Sequence, residues 1–514
     1  MGTNRLGLTV LSAAVFAAAR VFGADTVSVP PTETPGELPA AASAIIGKAL
    51  VGRHGEEDLR YLSDRIGGRL TGSPEAARAI AWAAERMRAI GLENVHTEKF
   101  SLRRGWTRGS ASLEVTAPVR RNLRIVAYGW TGSTPAAGLE AEIAPVDLYR
   151  LDEEMARAAA WKGKVIMTVS RGEKPAGFAL RAATLEGLVR KAIEAGAAGV
   201  AFAPLAGKAG GMQLPHTSAL VFDGIDDIPV VSLTPEGHTA IERLLDDGEK
   251  VRVRLRVVNR VSSGPVESAN VAGEIRGRER PGEVVVVGAH LDSWDLADGA
   301  TDDGFGVSCV LGAAEAILAS GSRPSRTIRF LLFTGEEERF LGSLAYVAEH
   351  VGELSNLVAA VVLDEGSGPI RAIHLGGRGE ATAAARRFAA DVRGLGDISV
   401  DDRVEAGTDT LPFTLAGAAA ISFGQDSPEY DRTHHSEADT FDKVDLRMIP
   451  RDTAVLAAAA FWIADRPERI AEPWPPERTA KLLADQRLDE GLRFYGLWPF
   501  DPAARNPAAP KTAP

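Results

Sequence analysis

The chain has 514 residues and a formal net charge of −11, with 45% hydrophobic and 25% charged residues. This length exceeds what one hydrophobic core usually supports, so we expect more than one structural unit. The composition is typical of a globular protein rather than a disordered chain. Basic residues are scattered, which argues against a nucleic-acid partner because such binding needs clustered Lys and Arg.

The first 24 residues have the order of a secretory signal peptide. Arg5 precedes an uncharged apolar run at 6–19, and small residues follow near Ala24. The run is too short for a comfortable membrane span, so we expect cleavage and a secreted or periplasmic chain without a stable span. An uncleaved N-terminal anchor is the alternative. Residues 25–40 are rich in Pro and Thr and indicate a linker.

Ordered structure is predicted from about residue 41. Ser73 and Pro74, followed by an apolar stripe and Gly91, indicate a helix with a capping residue, a first-turn proline and a terminating glycine. Between residues 125 and 261 the sequence pattern changes to short runs of β-branched residues, which are separated by Gly-Ala turns and short helices. In that segment we predict strands at 162–168 and 228–233.

From about residue 262 the chain alternates between stronger strands and helices. Continuous apolar runs predict strands that are covered on both faces, at 284–289, 327–333, 359–363 and 419–423. A helix with one apolar side lies between the first two runs and is closed by Gly321. Its Cys309 has no possible disulfide partner in the chain and is expected to be a buried, inert thiol. This alternation predicts an α/β fold with a mostly parallel central sheet flanked by helices.

Acidic residues and histidines follow these strands directly. The residues concerned are His290 and Asp292 after the first strand, Glu336 and Glu337 after the second, and Asp364 after the third. The carboxyl ends of parallel strands form the edge where open α/β sheets bind ligands. Carboxylates and imidazoles gathered there would repel one another or stay unpaired without a positive charge among them. A divalent metal is the simplest candidate.

Two further residues complete a ligand set for zinc. Asp302 lies in a turn before the predicted helix, and His435 follows the last predicted strand. Zinc binds imidazole nitrogen and carboxylate oxygen, and two ions need about one bridging carboxylate and two further ligands each. The set that matches this count, and so predicts two Zn²⁺ ions, is His290, Asp302, Glu337, Asp364 and His435. His434 is the alternative to its neighbour His435.

Four segments together resemble a known family. They are His290-Leu-Asp-Ser-Trp-Asp295, Gly299-Ala-Thr-Asp-Asp-Gly304, Phe333-Thr-Gly-Glu-Glu337 and His435-Ser-Glu-Ala-Asp-Thr440. They resemble the co-catalytic zinc aminopeptidases, which are related to the glutamate carboxypeptidases. The resemblance covers about residues 41–465 and includes an early segment at 64–73. The segment at 125–261 resembles the protease-associated domain, a small α/β insert.

The resemblance implies a role for each residue. Asp302 would bridge both zinc ions, His290 and Asp364 would complete one, and Glu337 and His435 the other. Glu336 would be the general base. Asp292 would accept a hydrogen bond from His290 and fix its orientation. His435 is preferred to His434 because the family's ligand directly precedes Ser or Thr.

The implied function is a zinc-dependent exopeptidase acting on short peptides. Aminopeptidase or dipeptidase action on unblocked N-termini is favoured; a carboxypeptidase of the glutamate carboxypeptidase type is the alternative, for which no Arg cluster is evident near the motifs. A non-catalytic binding protein is disfavoured by the complete ligand set. The resemblance also implies a homodimer. The predicted domains are a signal peptide (1–24), a linker (25–40), the N-terminal part of the catalytic domain (41–124), a protease-associated insert (125–261), the catalytic zinc peptidase domain (262–465) and a C-terminal extension (466–514).

Overall fold

The computed structural model describes residues 40–174, 182–203, 214–220 and 222–501. The predicted signal peptide, and all of the predicted linker except Ala40, lie outside the described residues. Those described form two compact units: an inserted unit, Trp106–Val261, and a larger unit made of 40–105 together with 262–501. In the part of the chain that is described, no helix is both long and apolar enough to cross a membrane.

The two units contain the following helices and strands. The helices are α1 (Ala40–Val51), α2 (His54–Tyr61), α3 (Pro74–Ile90), α4 (Leu151–Ala156), α5 (Ala182–Ala195), α6 (Pro235–Asp246), α7 (Phe305–Ala319), α8 (Leu341–Glu349), α9 (Thr382–Asp391), α10 (Thr410–Leu415), α11 (Tyr430–Thr433), α12 (Met448–Asp465), α13 (Pro476–Asp485) and α14 (Asp489–Phe494). The strands are β1 (Glu93–Leu102), β2 (Trp106–Thr107), β3 (Ala111–Ala117), β4 (Arg121–Leu123), β5 (Ile125–Ala127), β6 (Leu139–Asp147), β7 (Val165–Val169), β8 (Gly199–Phe202), β9 (Val230–Leu233), β10 (Arg252–Val257), β11 (Arg260–Val261), β12 (Val266–Ile275), β13 (Arg280–His290), β14 (Arg326–Phe333), β15 (Leu357–Val362), β16 (Ile370–His374), β17 (Ser399–Asp401) and β18 (Ala420–Gln425).

The larger unit is built on a mixed sheet in the order β1-β12-β14-β13-β15-β18-β16-β17. Its central strands β14, β13, β15 and β18 run parallel, as predicted, while β1, β12 and β16 join through antiparallel pairs. The mostly parallel sheet is therefore confirmed for the centre only. In the central register His290 lies opposite Phe333, so the residues that follow these strands leave the sheet at one edge.

Helices cover both faces of this sheet. Val285 and Val287 of β13 pack into a core shared with α7 and α12, whereas Val286 packs on the other face with Phe413 of α10 and Tyr346 of α8. Successive strand residues point to opposite faces, so the consecutive apolar residues at 284–287 of β13 fit a strand covered on both sides. The predicted continuous strands are confirmed by this burial.

Helix α3 has the ends that its sequence predicts. The N–H of Ala76 donates to Oγ of Ser73 at 3.0 Å, Pro74 occupies the first turn, and Gly91 ends the helix with a φ of 97°. A hydroxyl cap and a left-handed glycine satisfy the groups that a helix leaves unpaired at its ends.

The inserted unit has its own sheet, in the order β4-β3-β10-β6-β7-β8-β9-β5, with β6 to β9 parallel. The strands predicted at 162–168 and 228–233 correspond to β7 and β9. The first and last residues of the unit, Trp106 and Val261, are partners in the pairing of β2 with β11. In the larger unit the two ends of the interruption meet: the N–H of Gly105 donates to Oγ of Ser262 at 2.8 Å, and the N–H of Ser262 donates to the carbonyl of Gly105 at 2.8 Å.

Candidate metal centre

The predicted ligands lie in the larger unit, at the carboxyl edge of the central strands. His290 is the last residue of β13, Glu337 follows β14, and Asp364 follows β15. Asp302 lies in the turn Ala300–Gly304, just before α7, and its own backbone is not helical, with a φ of −138°. His435 follows α11, beyond the end of β18. The parallel register of the strands thus brings distant parts of the sequence to one place.

The five side chains form two groups that share Asp302. In the first, Nε2 of His290 lies 3.1 Å from Oδ1 of Asp302 and 3.4 Å from Oδ1 of Asp364. In the second, Nε2 of His435 lies 2.9 Å from Oε2 of Glu337 and 3.5 Å from Oδ2 of Asp302. The two oxygens of Asp302 therefore face different groups, which is the arrangement expected of a bridging carboxylate.

The burial and charge of this cluster fit a pair of cations. Oε1 of Glu337 is buried without a hydrogen-bond partner. Burial raises the pKa of Glu337 well above its usual range, and the carboxylate of Asp302 adds to the shift. Even if both imidazoles were protonated, their charge would not balance that of the three carboxylates. A buried anion without a compensating charge is costly, so the cluster favours bound cations. Imidazole nitrogen and carboxylate oxygen are a donor set that zinc accepts.

His434 and His435 differ in their distance from the cluster. Nε2 of His434 lies 3.8 Å from Oδ2 of Asp302, whereas His435 reaches Glu337 as well as Asp302. The two imidazole rings stack, with centroids 3.6 Å apart. The shorter distances favour His435 as the ligand, which stays a prediction.

Asp292 lies beside the imidazole of His290. Nδ1 of His290 lies 3.0 Å from the main-chain carbonyl oxygen of Asp292 but 3.7 Å from its carboxylate Oδ1. The carboxylate instead accepts from Oγ1 of Thr71 at 2.8 Å and from the N–H of Glu337 at 3.4 Å. Nδ1 of His290 thus lies closer to the carbonyl than to the carboxylate of Asp292, and the orienting role predicted for this carboxylate stays a prediction. The carboxylate is held away by donors from two other segments.

Glu336 is as accessible as the proposed ligand Asp364 and more accessible than the two glutamates that follow it. It is half-buried, whereas Glu337 and Glu338 are buried. Burial raises the pKa of Glu336 well above its usual range, and the carboxylates of Asp364 and Glu337 add to the shift. A carboxylate at this place, next to the candidate ligands, can act as a proton acceptor.

Two further aspartates hold the loops of the centre in place. Asp303 accepts from the N–H of His290 at 3.2 Å and from the N–H of Gly306 at 2.9 Å. Asp439 accepts from the N–H of Thr301 at 2.6 Å and from its hydroxyl at 2.8 Å. Both residues lie inside the motif segments at 299–304 and 435–440, and that position is the feature of the sequence that could have indicated their role.

A polar corner lies directly after Asp364. Nη2 of Arg403 is 3.4 Å from Glu365 and 3.3 Å from Glu405, and it donates to Nε2 of His374 at 2.8 Å. Burial raises the pKa of Glu365 to about 8, and Glu405 adds to this shift. No local pattern predicts this corner, because β17 and the loop after it bring Arg403 there from a distant position in the chain.

Fold and site together define a metallopeptidase built on a mixed α/β sheet. The model of peptidase family M28 matches residues 270–460. Carboxypeptidase Q of Mus musculus is 30% identical over 434 residues, which is 84% of this chain and 90% of that protein. The chain belongs to peptidase family M28.

Two solved structures agree with this membership. The Peptidase M28 precursor from Shewanella amazonensis SB2B has a TM-score of 0.77 at 28% identity, covering 84% of this chain and 98% of that chain. BSAP, a zinc aminopeptidase from Bacillus subtilis, has a TM-score of 0.63 at 22% identity, covering 86% and 100%, and supports the fold. The family predicted from the motifs is confirmed. This chain is accordingly a zinc exopeptidase, a hydrolase whose cofactor is a pair of zinc ions.

Proposed function

We propose that this peptidase hydrolyses short peptides from an unblocked N-terminus, as an aminopeptidase or dipeptidase. The observation that carries the proposal is the position of the Asp302 carboxylate between two groups, each of which has one histidine and one further carboxylate. The half-buried Glu336 lies next to the ligand Glu337 in the chain. This geometry suits hydrolysis by an activated water rather than by a protein nucleophile.

The ligands proposed are those of the two groups. Asp302 would contribute to holding both zinc ions, with His290 and Asp364 as the further ligands of one ion and Glu337 and His435 as those of the other. When bound, the zinc ions supply Lewis-acid activation of the water and of the scissile carbonyl. The Glu336 carboxylate takes a proton from the attacking water and delivers it to the nitrogen of the leaving amine. The carbonyl of Asp292 holds Nδ1 of His290, which leaves Nε2 directed at the centre.

The polar corner supports the choice of an unblocked N-terminus. The two carboxylates of Glu365 and Glu405 flank the single guanidinium of Arg403, which also donates to His374. All three contacts use Nη2, and Nε of Arg403 is buried without a hydrogen-bond partner. The two carboxyl groups outnumber that single guanidinium, and their oxygens can accept hydrogen bonds from the ammonium group of a free N-terminus. The relatives bear names of both activities, so the carboxypeptidase alternative is tested directly.

A dipeptide library tests the proposal. We would compare free, N-acetylated and C-amidated forms on zinc-restored enzyme, with Glu336→Gln as the control for contaminating peptidases. Cleavage of free and C-amidated dipeptides, and not of N-acetylated ones, is expected. Preferred cleavage of N-acetylated substrates with a free C-terminus would favour the carboxypeptidase. Tightly bound zinc without hydrolysis of any peptide would favour a binding protein.

The proposal extends to the rest of the chain. Within the compact unit at 106–261, the segment 125–261 is proposed as the protease-associated domain, inserted between catalytic segments at 41–124 and 262–465, with 466–514 as an extension. Its parallel strands β6 to β9 and intervening helices support a small α/β domain. We also propose secretion or periplasmic export with cleavage of a signal peptide, and a homodimer. N-terminal sequencing of the exported protein and light scattering measure these two properties.

A further inference from the structure

The side chain of Arg69 is fully buried in the larger unit and donates to main-chain carbonyl groups. The acceptors are the carbonyl oxygens of Gly67 at 3.2 Å, Leu291 at 2.7 Å, Asp298 at 2.6 Å and Gly299 at 2.9 Å. All but the first belong to the loop that joins His290 to the turn of Asp302. A guanidinium presents several donors in a fixed plane, so it can hold separate points of one loop at once.

The main chain and packing around Arg69 strengthen this connection. The N–H of Arg69 donates to Oγ of Ser293 at 3.0 Å, and the N–H of Ser293 donates to the carbonyl of Arg69 at 3.3 Å. Gly299 has a φ of 60°, and a Cβ added there would lie 2.9 Å from Nη2 of Arg69 and 2.3 Å from Cβ of Ser293. The loop therefore closes tightly on the guanidinium, and only a residue without a side chain fits at 299.

The charge of Arg69 also matches its surroundings. Burial lowers the pKa of the guanidinium, and the carboxylates of Asp439, Asp292 and Asp303 oppose that shift. These three aspartates are outside the proposed ligand set, so bound zinc would not neutralise them through direct coordination. An arginine remains charged in proteins and can balance them.

We propose that Arg69 is a positioning residue for the metal centre: by fixing the loop at 291–299 it sets the separation of His290 and Asp302. The inference rests on the proposed ligand set, in which these two residues bind the same ion. Groups that hold ligands in place contribute to metal affinity without touching the metal. Loss of Arg69 would let the loop relax, and the enzyme would have to reorder it each time zinc binds.

The test compares Arg69→Met with Arg378→Met. Arg378 is also buried and donates to main-chain carbonyls, those of Gly417 and Ala418, both at 2.7 Å. These carbonyls precede β18, at the opposite edge of the sheet from the candidate centre. Zinc affinity of the metal-free proteins is measured by competition with a chromophoric chelator. We expect Arg69→Met to weaken it by about 10- to 100-fold, and Arg378→Met to lower the Tm while leaving zinc affinity unchanged.

Further measurements separate positioning from general destabilisation. At saturating zinc, Arg69→Met should lower kcat more than it changes KM, and guanidinium ion added to Arg69→Ala should restore part of the zinc affinity. If Arg69→Met does not fold, Arg69→Lys and Gly299→Ala decide the question by the same titration. Wild-type zinc affinity and kcat in the folded variants would overturn the inference. If Asp302→Ala keeps its zinc, the ligand set itself is wrong, which is a distinguishable failure.

Discussion

Replacing Glu336 with Gln removes the proposed base and keeps the shape of the side chain. Glu336 belongs to neither group of candidate ligands, so zinc content should not change. General acid–base catalysis contributes about 10²- to 10⁴-fold, which is about 3–5 kcal/mol of activation free energy. Burial and neighbouring carboxylates raise the pKa of Glu336. Because Gln cannot accept the proton, we expect a loss within that range.

The assay measures kcat on an unblocked dipeptide and zinc by elemental analysis of the dialysed protein. Glu338→Gln is the matched control, because this neighbouring carboxylate is buried and has no proposed role in catalysis; it should keep most of the activity. A Glu336→Gln enzyme with nearly wild-type kcat would refute the assignment of the base. Loss of zinc together with activity would instead make Glu336 a ligand.

Three further results are expected. Asp302→Ala should lose both zinc ions on dialysis, since its carboxylate faces both groups; elemental analysis that finds either ion retained contradicts the bridging role. His435→Ala should retain one zinc ion and His434→Ala both, and the reverse result would reassign the ligand. Burial raises the pKa of Asp439 to about 7 and that of Asp409, a buried residue in contact with Ser343, to about 8. Between about pH 4, where an unfolded aspartate titrates, and these values, the folded state binds more protons than the unfolded state. The metal-free protein should therefore lose stability as the pH rises through that window. Thermal unfolding after chelation measures this slope, which Asp439→Asn should flatten; a slope of the opposite sign would refute it.

Much of the larger unit could be predicted because its signals are local or periodic. Ser73, Pro74 and Gly91 mark the ends of α3, and unbroken apolar runs mark the central strands. Once those strands were predicted to be parallel, His290 and Asp364 had to lie at the same edge of the sheet. The gathering of the candidate ligands follows from that edge.

Other features depend on tertiary contacts that leave no local pattern. The Asp292 carboxylate accepts a hydrogen bond from Thr71, which lies 221 positions away in sequence, so this contact could not be predicted from the motif. Arg403 reaches Glu365 through a separate edge strand. The antiparallel edges of the sheet likewise arise from pairing partners that apolar runs do not specify.

The paired hydrogen bonds between Gly105 and Ser262 hold together the two chain segments between which the other unit is inserted. The antiparallel strands β1 and β12 lie on either side of this pair, so the segments that end at Gly105 and begin at Ser262 could be connected by a short turn. Such a junction would allow a whole segment to be inserted or removed while the hydrophobic core of the larger unit keeps its sequence. For protein engineers, it offers a place to exchange one module for another while the hydrolytic scaffold stays continuous.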